Sequence, residues 1–156
     1  ELSIEVLNHS LRGIPADSLR LHTCYGINEG PRIHDASLQE ILGFMLKADA
    51  GAYSFEAANP RHEHEWKVWR DTDLPDDTVL FPGVINSVTH FIEHPELIAD
   101  RICRFADIVG RQRVVAGTDC GMSSQAGFPK VDEDIGWAKY AAMVEGARLA
   151  TDRLWS

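Results

Sequence analysis

A histidine, a glutamate and two cysteines stand where a folded chain could bring them to one metal ion. His22 and Cys24 lie two residues apart in a short strand-like run, and side chains two apart on a strand point to the same face. Glu56 and Cys120 each stand at the end of a later run of the same kind. Imidazole, carboxylate and two thiolates form a tetrahedral set that suits zinc best.

Spacing alone leaves a second interpretation open. A His-x-Cys pair is common by chance, and these residues could equally be buried structural thiols and a core histidine with satisfied hydrogen bonds. Position favours the metal interpretation, because the candidates end strands and Gly26 and Gly121 follow, where glycine lets the backbone turn sharply. The three cysteines, Cys24, Cys103 and Cys120, are a poor disulfide framework, since their number is odd and their spacing wide. Free or metal-bound thiols indicate a reducing, cytoplasmic location.

The elements that must position these residues alternate between strand and helix. Apolar runs predict four strands, over residues 19–24, 52–57, 79–85 and 113–118, with Pro82 and Gly83 as a break in the third. Four strand–helix units favour parallel pairing, either in a small open sheet or in half of an eight-stranded barrel. Both architectures bind ligands at the carboxyl ends of their strands. Ligands from several separate strand ends favour the barrel, which is curved.

The predicted helices carry start and stop signals. Ser37 and Glu40 have the spacing of a capping box, and Asn59 is predicted to cap a short helix that begins at Pro60. A third helix is predicted over residues 95–110. The last helix is predicted to be capped by Asp132. Its predicted buried residues are Ala138, Ala141, Ala142 and Leu149. The segment 62–65, His-Glu-His-Glu, lacks the HExxH spacing and is predicted to be a solvated face.

Composition excludes several classes of protein. The 156 residues fit a single domain, and 44% apolar with 25% charged residues is a globular composition. The net charge of -9 repels phosphate backbones and anionic membranes, so we expect no nucleic-acid and no membrane partner. No apolar run approaches the roughly 20 residues that span a bilayer.

Several motifs together resemble one family. The segments 22–26 (His-Thr-Cys-Tyr-Gly) and 119–121 (Asp-Cys-Gly), with Glu56 between them, resemble the catalytic domain of cobalamin-independent methionine synthase and its short homologues. The segments 81–84 and 93–96 are similar to the short homologues as well. The resemblance implies Zn²⁺ held by four ligands in family order, namely His22, Cys24, Glu56 and Cys120.

The same resemblance implies a fold. It covers nearly all of residues 1–156 and implies an α/β domain that is the C-terminal half, four βα units, of a TIM (β/α)8 barrel. The chain is then a single partial domain. Because half a barrel leaves sheet edges uncovered, we expect it to self-associate or to pair with an N-terminal barrel half.

The family also implies a reaction. It is zinc-dependent transfer of a methyl or other alkyl group from a small-molecule donor to a zinc-activated thiol, as in the 5-methyltetrahydropteroyltriglutamate–homocysteine S-methyltransferase of methionine biosynthesis. The family's aspartate and histidine after the seventh strand are replaced by Asn86 and Val88, so His90 and Tyr25 are the candidate catalytic proton donors.

Three alternatives accompany this prediction. The chain is also similar to the epoxyalkane:coenzyme M transferase branch, which opens an epoxide with a zinc-bound thiol. It could instead be a zinc-binding half barrel that is inactive without its N-terminal half. An unrelated, metal-free α/β binding domain is the third alternative, and it predicts that Cys120→Ser leaves ligand binding unchanged.

Overall fold

The computed structural model describes residues 1–26, 32–123, 127 and 129–156. In this part of the chain, strands and helices alternate from β1 onward, as the sequence predicts. The strands are β1 (Arg20–Thr23), β2 (Ala52–Phe55), β3 (Val79–Ile85) and β4 (Gly117–Thr118). The α-helices are α1 (Leu2–Ser10), α2 (Leu38–Met45), α3 (Trp66–Arg70), α4 (Pro95–Val109) and α5 (Glu133–Trp155), with 3-10 turns at Ala16–Ser18 and Glu63–Glu65.

The four strands form one parallel sheet in the order β1-β2-β3-β4. Each strand therefore pairs with the next one in the chain, and the predicted α/β class with parallel pairing is confirmed. The carboxyl ends of all four strands meet at one edge, which places the residues that follow them close together.

Two strands differ from their predictions. Pro82 and Gly83 do not break β3, because the fixed φ of proline is compatible with extended backbone, and β3 continues to Ile85. The predicted fourth strand is reduced to Gly117–Thr118, with one isolated bridge between Val114 and Leu80 before it. The β3–β4 register shifts between Gly83 and Ile85, which shortens the regular ladder.

The amphipathic helices pack as predicted. The capping box of Ser37 and Glu40 is formed, with the Glu40 carboxylate 2.7 Å from the Ser37 main-chain nitrogen. The buried positions of α2 and α4 lie against β2 and β3, and Trp69 of α3 stacks on Phe55 with ring centroids 4.5 Å apart. The buried residues of α2 and α4 include Leu38, Leu42, Met45, Ile98, Ile102, Phe105 and Val109.

The segment after β2 differs from the predicted helix. Residues 60–62 form turns, and α3 begins only at Trp66. Asn59 accepts a hydrogen bond from the Arg61 main-chain N–H at 2.9 Å, and its amide donates to Glu56 at 3.0 Å. The Asn59 side chain thus holds a turn together rather than capping an α-helix.

The buried face of α5 also differs. Its buried residues are Gly136, Lys139, Gly146 and Ala150. Of the predicted residues, Ala142 and Leu149 are partly buried against the core, whereas Ala141 is exposed. Lys139 is fully buried because its ammonium pairs with Glu93 at 2.8 Å. Gly146 lies where an added Cβ would come within 2.5 Å of Ile98, so close packing of α5 on α4 requires glycine there.

Among the described residues, no helix combines the length and apolar character needed to cross a membrane.

Candidate metal centre

Three of the four predicted ligands lie together. The metal-binding atoms of His22, Cys24 and Cys120 are all within 4.8 Å of one another. His22 belongs to β1, Cys24 follows the end of β1, and Cys120 stands two residues after the end of β4. Neighbouring strands lie about 4.8 Å apart, so in a flat sheet β1 and β4 would be separated by roughly 14 Å. The strand ends must therefore converge strongly to form this group.

His22 is oriented by the next strand. Its Nδ1 lies 2.7 Å from the hydroxyl of Ser54, the residue paired with His22 in the parallel register. A hydrogen bond at one ring nitrogen fixes the imidazole and leaves the other nitrogen for a metal. Burial lowers the pKa of His22, although the nearby Glu56 opposes this shift, so the neutral form that ligates metals is favoured. Sequence reasoning missed Ser54, which only the strand pairing identifies.

The two thiols lie side by side. Cys24 is exposed and Cys120 is half-buried, and both are free thiols. Burial raises the pKa of Cys120, and the neighbouring Cys24 and Glu56 raise it further. Two adjacent thiolates and a carboxylate repel one another, so a cation between them would remove the repulsion.

Glu56 lies beside this group rather than within it. Its side chain is buried, one carboxylate oxygen accepts the main-chain N–H of Tyr25 at 2.8 Å, and the other accepts the Asn59 amide at 3.0 Å. The Arg32 guanidinium lies 3.6 Å from that second oxygen. The carboxylate is thus held by hydrogen bonds and an arginine outside the 4.8 Å group, and its role as fourth ligand stays a prediction.

A buried histidine supports Tyr25. The rings of Tyr25 and His62 stack with centroids 3.7 Å apart and planes 4° from parallel. The two His62 nitrogens lie 2.9 Å from Glu65 and 3.1 Å from Asp35. The predicted solvated face is therefore wrong for His62 and Glu65, which are 4% and 7% exposed. The i,i+3 spacing of these two residues was the available signal, because it places them on one face of a helical turn.

The two candidate proton donors are placed differently. Burial and three nearby carboxylates raise the pKa of Tyr25, so its hydroxyl holds its proton firmly. His90 is exposed in the segment that follows β3. Neither belongs to the three-residue group described above.

The metal group opens onto a cleft. An open cavity of about 510 Å³ runs along the sheet face that the helices do not cover, and its lining includes Arg20, His22, Ser54, Phe81 and Cys120. Small molecules bind in concavities of this size. The cleft therefore gives a small ligand direct access to His22 and Cys120.

The sequence matches no described protein family and no curated protein. The fold, in contrast, is similar to that of a solved B12-independent methionine synthase from Shewanella sp. W3-18-1, whose structure is in complex with selenomethionine, with a TM-score of 0.79 and 19% sequence identity. The superposition covers 97% of this chain and 43% of that protein, so this chain spans less than half of its length. This chain thus has the fold of part of a B12-independent methionine synthase.

Proposed function

We propose that this chain carries the zinc centre of a thiol alkyltransferase, which transfers a methyl group to a small-molecule thiol. The observation that carries the proposal is the convergence of His22, Cys24 and Cys120, from opposite edges of the sheet, to within 4.8 Å. The likeness to a methionine synthase supports methyl transfer as the reaction.

The residues present fit zinc. Two thiols and an imidazole are the donors that zinc prefers, and tetrahedral zinc–sulfur bonds of about 2.3 Å place ligand atoms roughly 3.8 Å apart. The 4.8 Å limit on the observed separations therefore requires only a small closure of the group. When bound, zinc would lower the pKa of a substrate thiol so that the nucleophilic thiolate is present at neutral pH.

We assign the fourth ligand to Glu56. Its carboxylate lies close enough to affect the pKa of both His22 and Cys120. The hydrogen bonds from Tyr25 and Asn59 give it a resting position inside the protein. If Glu56 held zinc, these hydrogen bonds would offer its carboxylate a second position with satisfied partners.

Proton donation to the leaving group is assigned to His90 ahead of Tyr25. The atom that loses the methyl group gains negative charge, so a nearby donor assists the reaction. The raised pKa of Tyr25 and its stacking on His62 make it a poor donor. Replacement of His90 by Asn is expected to lower kcat and leave zinc content unchanged, whereas Tyr25→Phe is expected to change kcat little.

We further propose that the fold is the C-terminal half of a (β/α)8 barrel. Consecutive parallel strands joined by crossovers of one hand place every helix on the same face, as a barrel requires. The order β1-β2-β3-β4 and the convergence of its edges support this arrangement. The opposite face is open, with Arg20 and His22 exposed. This open face favours a second candidate function. In it, the chain is a zinc-binding half barrel that catalyses methyl transfer only with an N-terminal barrel half or another copy of the chain.

Metal analysis of the purified, reduced chain tests the zinc centre. We expect close to one equivalent of zinc, loss of that zinc in Cys120→Ser, and full retention in Cys103→Ser. Cys103 is the matched control because it is a free, half-buried thiol in α4, outside the metal group. Absence of zinc from the reduced wild-type chain would refute the proposal.

Activity and size in solution separate the two candidate functions. Methyl transfer to a thiol by the monomeric chain would show that this chain catalyses the reaction without a partner. A zinc-loaded chain that transfers methyl groups only when it is associated, or supplied with a four-strand partner, would support the half-barrel alternative.

A further inference from the structure

One buried side chain links the two strands that bear the cysteine and glutamate candidates. Asp119 directly precedes Cys120 at the end of β4 and is only 2% exposed. One of its carboxylate oxygens accepts hydrogen bonds from the main-chain N–H groups of Ala57 and Ala58, both at 2.8 Å. Ala57 directly follows Glu56, so Asp119 holds the chain immediately after that residue.

To make these bonds, Asp119 must cross β3, which lies between β2 and β4 in the sheet. It crosses at Gly83. A Cβ added to Gly83 would lie 2.1 Å from the carboxylate oxygen of Asp119 and 2.7 Å from its Cα. Real Cβ atoms essentially never approach other atoms so closely. The absence of a side chain at position 83 is therefore a condition for the Asp119 hydrogen bonds.

The Asp119 side chain also approaches Asn86, the residue that follows β3. The second carboxylate oxygen of Asp119 lies 3.5 Å from the Asn86 amide nitrogen. Burial raises the pKa of Asp119 to about 7, but an oxygen that accepts N–H groups does so in either protonation state. An asparagine at this position would keep an acceptor oxygen with nearly the same shape, so it is the conservative replacement.

We propose that Asp119 is a positioning residue of the metal centre, which fixes the end of β2 to the end of β4 across Gly83. Glu56 and Cys120 are thereby held at a constant separation, although they come from strands that are not adjacent. The role in metal binding rests on the proposed function, whereas the fixing of the strand ends rests on the hydrogen bonds alone. Residues that orient metal ligands typically change metal affinity by about 10- to 100-fold when removed.

The test uses three variants, Asp119→Ala, Asp119→Asn and Gly83→Ala, with Co²⁺ as a spectroscopic probe. Titration of Co²⁺ into the reduced chain reports thiolate ligation through charge-transfer absorption, and chelator competition gives the zinc affinity. We expect Asp119→Ala and Gly83→Ala to bind about 10- to 100-fold more weakly. Asp119→Asn is expected to stay within about threefold of the wild type, because its oxygen still accepts both N–H groups.

Amide hydrogen exchange at Ala57 and Ala58 in the metal-free chain measures the hydrogen bonds directly. Both amides should exchange faster in Asp119→Ala and Gly83→Ala than in the wild type. Val109→Ala serves as the control for general destabilisation, since Val109 is a buried member of the hydrophobic core and lies outside the metal group. It should lower the melting temperature without changing Co²⁺ affinity. Where Asp119→Ala does not fold, Gly83→Ala tests the same contact with the carboxylate retained.

The outcomes are separable. A folded Asp119→Ala that binds Co²⁺ within threefold of the wild type would overturn the positioning role while leaving the zinc centre intact. An Asp119→Asn as weak as Asp119→Ala would overturn the assignment of that role to hydrogen-bond acceptance. A wild-type chain that binds neither Co²⁺ nor Zn²⁺ would refute the proposed function, and exchange at Ala57 and Ala58 would then decide whether Asp119 fixes the strand ends.

Discussion

Lys139 and Glu93 form a buried ion pair whose loss should destabilise the fold. The ammonium of Lys139, fully buried in α5, lies 2.8 Å from one Glu93 oxygen, and the other oxygen accepts the Asn86 main-chain N–H at 2.7 Å. The pair therefore anchors the segment after β3, which carries His90, to the last helix. Lys139→Met keeps the apolar stem and removes the charge, so it isolates the electrostatic contribution.

The expected magnitude follows from burial. The Glu93 side chain is only 10% exposed. Without Lys139 it would be a buried, unpaired carboxylate that accepts one main-chain N–H. Removal of one partner of a buried pair typically costs about 3–5 kcal/mol of unfolding free energy. Glu93→Gln should cost a similar amount, because it leaves the Lys139 charge unpaired. The double variant removes both charges and keeps an acceptor for Asn86, so it should recover at least about 2 kcal/mol relative to the sum of the single changes.

Urea denaturation followed by circular dichroism measures these free energies. With a slope of about 2 kcal/mol/M, a loss of about 3 kcal/mol moves the midpoint by about 1.5 M. Lys47→Met is the matched control, since Lys47 pairs with Glu1 at 3.3 Å on the surface, and it should change stability by less than about 0.5 kcal/mol. A loss below about 1 kcal/mol in Lys139→Met, or simple additivity in the double variant, would refute this reasoning.

Three further predictions concern packing, the support of Tyr25 and pH. Gly146→Ala should cost about 1–3 kcal/mol in thermal denaturation because its Cβ would meet Ile98, whereas Gly136→Ala, with open space around the added atom, should be neutral or stabilising. His62→Leu leaves two carboxylates without their shared partner, and urea denaturation should show a loss of about 3 kcal/mol. Zinc affinity should fall at least about tenfold between pH 8 and pH 6 in chelator competition, because protons compete for the thiolates; an unchanged affinity would argue against cysteine ligation.

Local patterns determined the ends of α2 and α4, but not the start of α3. The capping box at Ser37 and the apolar stripe of α4 depend on residues three or four apart, which interact within one helix wherever that helix packs. The pairing of His22 with Cys24 was likewise predictable, because two strand residues at i and i+2 share a face in any sheet. The predicted α5 face was wrong at Ala141 and left out Lys139, because apolar periodicity does not reveal a buried lysine with a partner from another element.

Tertiary structure decided the relations between distant segments. Only the strand order and the curvature of the sheet bring Cys120 to His22, and only strand register pairs His22 with Ser54. Gly83, interpreted from the sequence as a break, is instead the point where Asp119 crosses β3. The sequence by itself thus determined which donor atoms are available and which elements form. Their separations depend on contacts between residues far apart in the chain, and therefore only the folded chain could settle them.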